Sequence, residues 1–463
     1  MMATHSTQIR LATASPATQS TRQETLAQLE RLARSAGDRK ADFLLLPEAY
    51  FGGYPRGSDF GCKIGGRTEE GRDEFRRYFR EAIDLGDIVG PAGAGGLGKW
   101  VKRELGAGLG DEGEGESKDS GNGGSAKRRG DGTREELERI ARETGVFIVV
   151  GLVERAGGSL YCAVVYVCPR RGMIGKRRKV MPGLTNTSQT GTERLIWAQG
   201  SPATLQAVST TIRGTRINLA AAICWENYMP LLRQSLYAQN INLYFAPTAD
   251  GRDTWLPLVR TIGTEGRCFV VTSNMCVREG AKHIPQERRN SCITKEGFEI
   301  ALPTSPISRK EGGSSSVSPL AGHGAGSASK ARRRSVFDED GNEIVLSSPI
   351  ESPRSKLGLG YAAGASVSSS AVIEEDDAEN TNLKPVETAK FVSRGGSSIV
   401  SPFGDVLAGP QWEDDEGIIY ADVDMEDCVR GRLDLDAAGS YSRNDAFKLS
   451  VEGLDLNPLP YYT

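Results

Sequence analysis

The chain has 463 residues, of which 38% are hydrophobic, and its mean hydropathy is −0.37, so part of it is too polar to pack. Lys and Arg number 57 against 60 Asp and Glu, a net charge of −3 that gives no bulk electrostatic reason to bind nucleic acid or an anionic membrane. No apolar run approaches the roughly 18 residues of a membrane span, and no charged-then-apolar secretory signal opens the chain, so it is expected to be soluble and cytoplasmic.

Taken in chain order, a first strand is predicted over Ile9–Ala14. A helix follows over Thr21–Ala36, where Leu26, Leu29, Leu32 and Ala33 recur at helical spacing. Asp42–Leu46 reads as a buried strand. Residues 92–130 hold thirteen glycines in thirty-nine positions and cannot bury enough apolar surface to offset backbone ordering. A helix over Thr133–Thr144 opens with Thr133 and Glu136, the spacing of a reciprocal cap. Val146–Val153, Leu160–Cys168, Arg216–Ile223, Ile241–Ala246 and Cys268–Ser273 are short apolar runs suited to buried strands. Residues 303–389 hold seventeen serines in eighty-seven positions and form a second polar insertion. Strand and helix in alternation mean an α/β fold. One domain over 5–451, interrupted by 92–130 and 303–389 and followed by a tail at 452–463, accounts for the pattern, because long surface loops add little closure entropy.

Counting narrows the chemistry. There are three histidines, His5, His283 and His323, too few for a His-rich metal site or a Ser–His–Asp relay. The eight cysteines show no C-x-x-C spacing and mostly sit among apolar neighbours, as reduced packing residues do. Gly93, Gly95 and Gly98 spell G-x-G-x-x-G, but within a glycine-saturated segment they lack the strand and helix that a dinucleotide site needs.

Three segments place a reactive side chain just after a predicted strand. In ADFLLLPEAYFGGYP (residues 41–55), Pro47 ends the strand and Glu48 follows at its carboxyl end, where α/β folds put reactive groups. In GKRRKVMP (residues 175–182), four consecutive basic residues would ordinarily mark a solvated face, but Val180, Met181 and Pro182 turn the neighbourhood of Lys179 inward. A lysine so placed can donate a proton or stabilise developing negative charge. In NLAAAICWENYMPLLR (residues 218–233), a strand delivers Cys224 to a turn that becomes a helix near Pro230; helix amides there would favour the thiolate.

Together these segments resemble the nitrilase (carbon–nitrogen hydrolase) superfamily, whose catalytic Glu, Lys and Cys come in the chain order of Glu48, Lys179 and Cys224. CWENYMPLLR is similar to the true-nitrilase branch, of a fungal type with insertions. The similarity runs on through residues 244–274, 395–410 and 439–449. The resemblance implies a four-layer α-β-β-α sandwich, assembling as dimers or larger spirals. A further catalytic glutamate of the family matches Glu193, although residues 183–192 make its approach longer than usual, and Arg177 stands where the family has His. Tyr54, Trp225 and Glu226 are expected to line or orient the pocket.

The activity implied is hydrolysis of a small-molecule nitrile to the carboxylic acid and ammonia, without metal or organic cofactor. Glu48 takes the thiol proton, Cys224 attacks the nitrile carbon, and Lys179 protonates the nitrogen to give a thioimidate. Water activated by Glu48 then releases ammonia and, from the thioester, the acid. Two alternatives stay open: a hydratase-type outcome that releases amide from the same site, and a catalytically silent scaffold of the same fold.

Overall fold

The computed structural model describes residues 8–56, 58–63, 66–86, 130–183, 193–279 and 390–460, with the strand segments Ser291–Ile293, Glu299–Ala301, Arg334–Phe337 and Glu343–Leu346. One unit comprises Met1–Thr304 with Glu387–Thr463, and a second Ser305–Val386. Of the second, the described part is one antiparallel pair, Arg334–Phe337 against Glu343–Leu346. The three histidines, the Gly93–Gly98 motif, residues 184–192 and the rest of the two expected insertions, apart from Gly130, lie outside the described residues.

The principal elements of the larger unit begin with β1 (Gln8–Ala14), α1 (Arg22–Asp38), β2 (Phe43–Leu45), α2 (Glu69–Glu81), α3 (Thr133–Thr144), β3 (Phe147–Ala156), β4 (Ser159–Cys168) and β5 (Gly172–Arg178). After these come β6 (Val208–Ile212), β7 (Thr215–Ala221), α4 (Pro230–Tyr237), β8 (Leu243–Thr248), α5 (Trp255–Gly266) and β9 (Phe269–Asn274). The last are β10 (Cys276–Arg278), β11 (Phe391–Val400), β12 (Val406–Trp412) and β13 (Ile418–Asp424). One sheet runs β13-β1-β2-β3-β4-β5, the other β10-β11-β9-β8-β7-β6, with β12 paired to β11.

Leu11, Phe43, Phe147 and Val164 from the first sheet meet Leu219, Phe245 and Val271 from the second in one buried cluster. The opposite face of the first sheet packs Leu44, Ile148 and Val165 against Leu29 and Ala33 of α1 and Leu137 and Ile140 of α3. Tyr244 and Val270 of the second sheet pack against Leu236 of α4 and Val259 and Ile262 of α5. Each Leu, Ile, Val or Phe among them contributes about 1.5–3 kcal/mol on burial. The result is the expected α-β-β-α sandwich.

The reciprocal cap lies at a different helix from the one expected. Gly132, with φ of 91°, caps α3, the Asp131 side chain accepts the Thr133 amide, and Thr133 is already helical, its buried hydroxyl oxygen without a partner. The box forms instead on α1, where Thr21 Oγ1 accepts the Glu24 amide and Glu24 accepts the Thr21 amide, at 3.2 and 3.0 Å. The spacing T-x-x-E is present at both sites; the glycine before Thr133 takes the left-handed turn that moves the cap back one residue.

The chain pairs with itself across the ends of residues 87–129 and of residues 280–389. The Asp131 amide donates to the Asp84 carbonyl at 2.8 Å, and the Glu279 amide to the Lys390 carbonyl at 2.7 Å.

Candidate active site

β2 ends where the Leu46 amide makes a last bond to the Val149 carbonyl and Pro47 offers no amide. Glu48 follows, fully buried. β3 passes so near that a Cβ on Gly151 would lie 2.3 Å from the Pro47 carbonyl oxygen and 2.7 Å from Glu48 Cα, which makes glycine the residue that fits there.

The basic run is not a solvated face: Lys176, Arg177, Arg178 and Lys179 are all buried. It closes β5, and strand alternation sends the four cations to two sides. Lys176 and Arg178 share Glu154 of β3, at 2.6 and 2.7 Å. On the other side Arg177 pairs with Glu226 at 2.6 Å, and the Lys179 ammonium bridges Glu48 at 2.8 Å and Glu193 at 2.9 Å. Four buried cations thus face four buried carboxylates, the condition under which such charges are tolerated.

Cys224 begins a five-residue 3-10 turn, Cys224–Tyr228, with φ of +53°, a left-handed conformation that costs a non-glycine residue energy. Asn227 holds it there: its amide donates to the Ala222 and Cys224 carbonyls at 2.9 and 2.8 Å, and Tyr244 donates to its oxygen.

Glu193 reaches this cluster at the start of the short helix Glu193–Ile196. One of its oxygens accepts from Lys179 and the Gly183 amide, the other from the Tyr54 hydroxyl at 2.7 Å. The longer approach loop therefore does not keep Glu193 away from Lys179.

Burial pushes the Glu48 carboxyl above the ordinary glutamate range, partly opposed by Lys179 and reinforced by Glu193. Burial would raise Glu193 as well, but Lys179, the Gly183 amide and Tyr54 hold it below that range. Burial alone would lower the Lys179 ammonium; the Glu193 and Glu48 charges more than reverse this. Burial, then the Glu48 charge, push the Cys224 thiol well up. The expectation that helix amides would favour the Cys224 thiolate is therefore not met: burial and the Glu48 charge prevail. Cys224 rests as a thiol beside a carboxylate whose own proton affinity is raised.

Of the expected pocket residues, Tyr54 is half-buried and engaged with Glu193. Trp225 is half-buried under the Arg252 guanidinium at 4.5 Å, and Arg252 pairs with Asp250. Glu226 does not touch Lys179; it accepts from Arg177 and from the backbone of Ile223, Val180 and Met181. Cys162, expected only to pack, has its thiol 3.5 Å from Glu48 Oε1. No local signal in the sequence marks it; only the fold sets it beside Lys179, whose amide its carbonyl accepts at 2.7 Å. Among the described residues, no group of three or more His, Cys, Asp or Glu is arranged to hold a metal ion.

The sequence model of the carbon–nitrogen hydrolase family matches residues 8–320. A nitrilase of Bradyrhizobium diazoefficiens is 32% identical over 91% of this chain and 84% of its own. An arylacetonitrilase of Trametes versicolor is 32% identical over 92% and 91%. A bifunctional nitrilase/nitrile hydratase of Lupinus angustifolius is 31% identical over 94% and 83%.

Proposed function

The chain belongs to the carbon–nitrogen hydrolase family, and from that premise we propose that it is a nitrilase, converting an organic nitrile and two waters into a carboxylic acid and ammonia. The observation that carries this reading is the Lys179 ammonium held between Glu48 and Glu193 beside the Cys224 thiol. Nitrogen that gains charge during attack needs a proton donor close by, and Lys179 is one whose charge two carboxylates maintain.

Glu48 accepts the Cys224 proton as sulfur bonds to the nitrile carbon, and Lys179 protonates the nitrogen, leaving a thioimidate. The first water adds to the thioimidate carbon and gives one proton to the now neutral Lys179, while Glu48 returns its proton to the nitrogen; the nitrogen takes the remaining hydroxyl proton and departs as ammonia, leaving a thioester with Lys179 and Glu48 charged again. A second water, deprotonated by Glu48, cleaves the thioester to the acid and the free thiol. Glu193 and Tyr54 keep Lys179 charged and aimed.

Ammonia, acid and amide measured over a panel of aliphatic, aryl and arylaceto-nitriles test the reading. Acid with equimolar ammonia, lost in Cys224→Ala, supports it; no turnover of any nitrile sinks it. Amide as the main product would favour the second reading, which the bifunctional lupin relative motivates. The same reading includes a cytoplasmic homo-oligomer. Seven free cysteines among the described residues suit a reducing compartment, and the exposed Leu231, Leu433 and Phe447 suit subunit contacts. Light scattering on the purified chain checks the second point.

A further inference from the structure

Glu48 offers two carboxylate oxygens, and the protein treats them unequally. Oε1 accepts from Lys179 Nζ at 2.8 Å and from the Cys162 thiol at 3.5 Å. Oε2 is buried with no hydrogen-bond partner. An unpartnered buried carboxylate oxygen is costly, and the terminal torsion of a glutamate is soft enough to exchange the two oxygens. Something must hold the asymmetry.

We infer that Cys162 is a positioning residue of the reaction: its thiol, with Lys179, occupies Oε1 of Glu48 and leaves Oε2 as the oxygen that exchanges protons with Cys224 and with water. Cys162 is well placed for this. It lies within β4, fully buried, and its carbonyl accepts the Lys179 amide at 2.7 Å. One residue thus fixes the base through its side chain and the backbone of the proton donor through its carbonyl. Burial and the adjoining Glu48 charge keep this thiol protonated and hence a donor. Cys224 faces the same carboxyl from a strained 3-10 turn, whereas Cys162 sits in regular strand. That division explains how two buried thiols share one glutamate while one of them attacks.

The inference rests on Glu48 as the base. It is tested by kcat/KM against pH for the wild type, Cys162→Ala and Cys162→Ser, with phenylacetonitrile or the panel member turned over fastest. Loss of a donor to the ionised carboxylate raises its proton affinity, so Cys162→Ala should move the acidic limb upward by about half a unit and lower kcat/KM by about tenfold, with KM little changed. Cys162→Ser should restore the limb and most of the rate. An alanine variant with wild-type rate and limb overturns the inference, as does a serine variant as poor as alanine, which would mark a packing role. If alanine prevents folding, the shape-matched pair Cys162→Thr and Cys162→Val reads the same contrast. Failure of the underlying reading looks different: Glu48→Gln would then retain turnover whatever stands at 162.

Discussion

The carboxylate of Glu226 accepts the Ile223 amide at 2.7 Å, so the residue two places after Cys224 holds the residue one place before it. Its other oxygen accepts the Val180 amide and an Arg177 N–H, both at 2.6 Å. A single buried side chain therefore ties the Cys224 turn to the segment that carries Lys179. Both oxygens are used as acceptors, and a glutamine would present an N–H to one of those donors. Glu226→Gln should cost about 3–5 kcal/mol of stability in urea unfolding, the usual penalty for stranding a buried cation. It should also slow turnover with little change in KM. A cost below about 1 kcal/mol would mean that Arg177 finds another partner.

Cys224→Ala should abolish nitrile turnover and leave a folded protein, and the wild type should yield a covalent substrate adduct on Cys224 in peptide mass analysis. The left-handed φ of +53° adds a second expectation. Cys224→Gly, equally inactive, should unfold at higher denaturant than Cys224→Ala, by about 1 kcal/mol, because only glycine adopts that conformation without strain. Equal stabilities would remove strain from the account of the turn.

Glu48→Gln should lower turnover by about a thousandfold, the scale of losing a general base, yet stabilise the fold. Burial raises the Glu48 carboxyl above its ordinary value of 4.5, so the folded state prefers the protonated form. The corresponding stability is full below the unfolded value and is lost as pH rises through the folded one. Wild type should therefore fall progressively behind Glu48→Gln in unfolding free energy as pH climbs from about 4.5, then run parallel to it once Glu48 is ionised. A gap that closes with rising pH would reverse the sign and show that Lys179 outweighs burial.

The division between what the residues announce and what they conceal follows from this same charge arrangement. Apolar runs such as Phe147–Val153 and Leu243–Ala246 are legible because two-sided burial leaves an unbroken hydrophobic string. The β5 strand was hidden because Lys176, Arg177 and Arg178 are buried as ion pairs, and a hydrophobicity pattern cannot register a cation neutralised by Glu154 or Glu226. Glu48, Lys179 and Cys224 stand out in the sequence by position after strands and by family likeness. Cys162 was not, since nothing local separates a thiol against Glu48 from one that merely packs, such as Cys168. The cap at Thr133 was misplaced because T-x-x-E fixes a spacing, whereas Gly132 decides where the helix begins.

Tyr54 donates to Glu193 at 2.7 Å, and Glu193 in turn holds Lys179, so under the proposed mechanism the tyrosine would act through two intermediaries. Burial pushes the Tyr54 phenol well up, so it remains a donor throughout the working pH range. Tyr54→Phe should lower kcat/KM about tenfold, a typical loss for a hydrogen bond to a charged group. Glu193→Gln, which removes a charge from Lys179, should cost more than that. Turnover unchanged in both variants would reduce the Glu193 arm to a structural contact.

Replacing residues 303–389 with a short Gly/Ser linker should preserve folding and nitrile turnover. β10 and β11 run antiparallel with Arg278 opposite Phe391, and the Glu279 amide donates to the Lys390 carbonyl, so the chain leaves and re-enters the sheet at adjacent residues. Everything between 279 and 390 is in effect the connection of one hairpin, and none of Glu48, Lys179, Glu193 and Cys224 lies within it. Loop-closure entropy changes only by about 0.6 kcal/mol per doubling of length, so shortening this connection neither strains nor greatly stabilises the sheet. Unfolding midpoint and kcat/KM of the shortened chain, compared with the full one, check the expectation. A drop in midpoint of several degrees would correspond to about 1 kcal/mol or more of lost stability and would mean that the excised residues pack on the sandwich. Retained stability with lost turnover would instead assign them a part in the reaction.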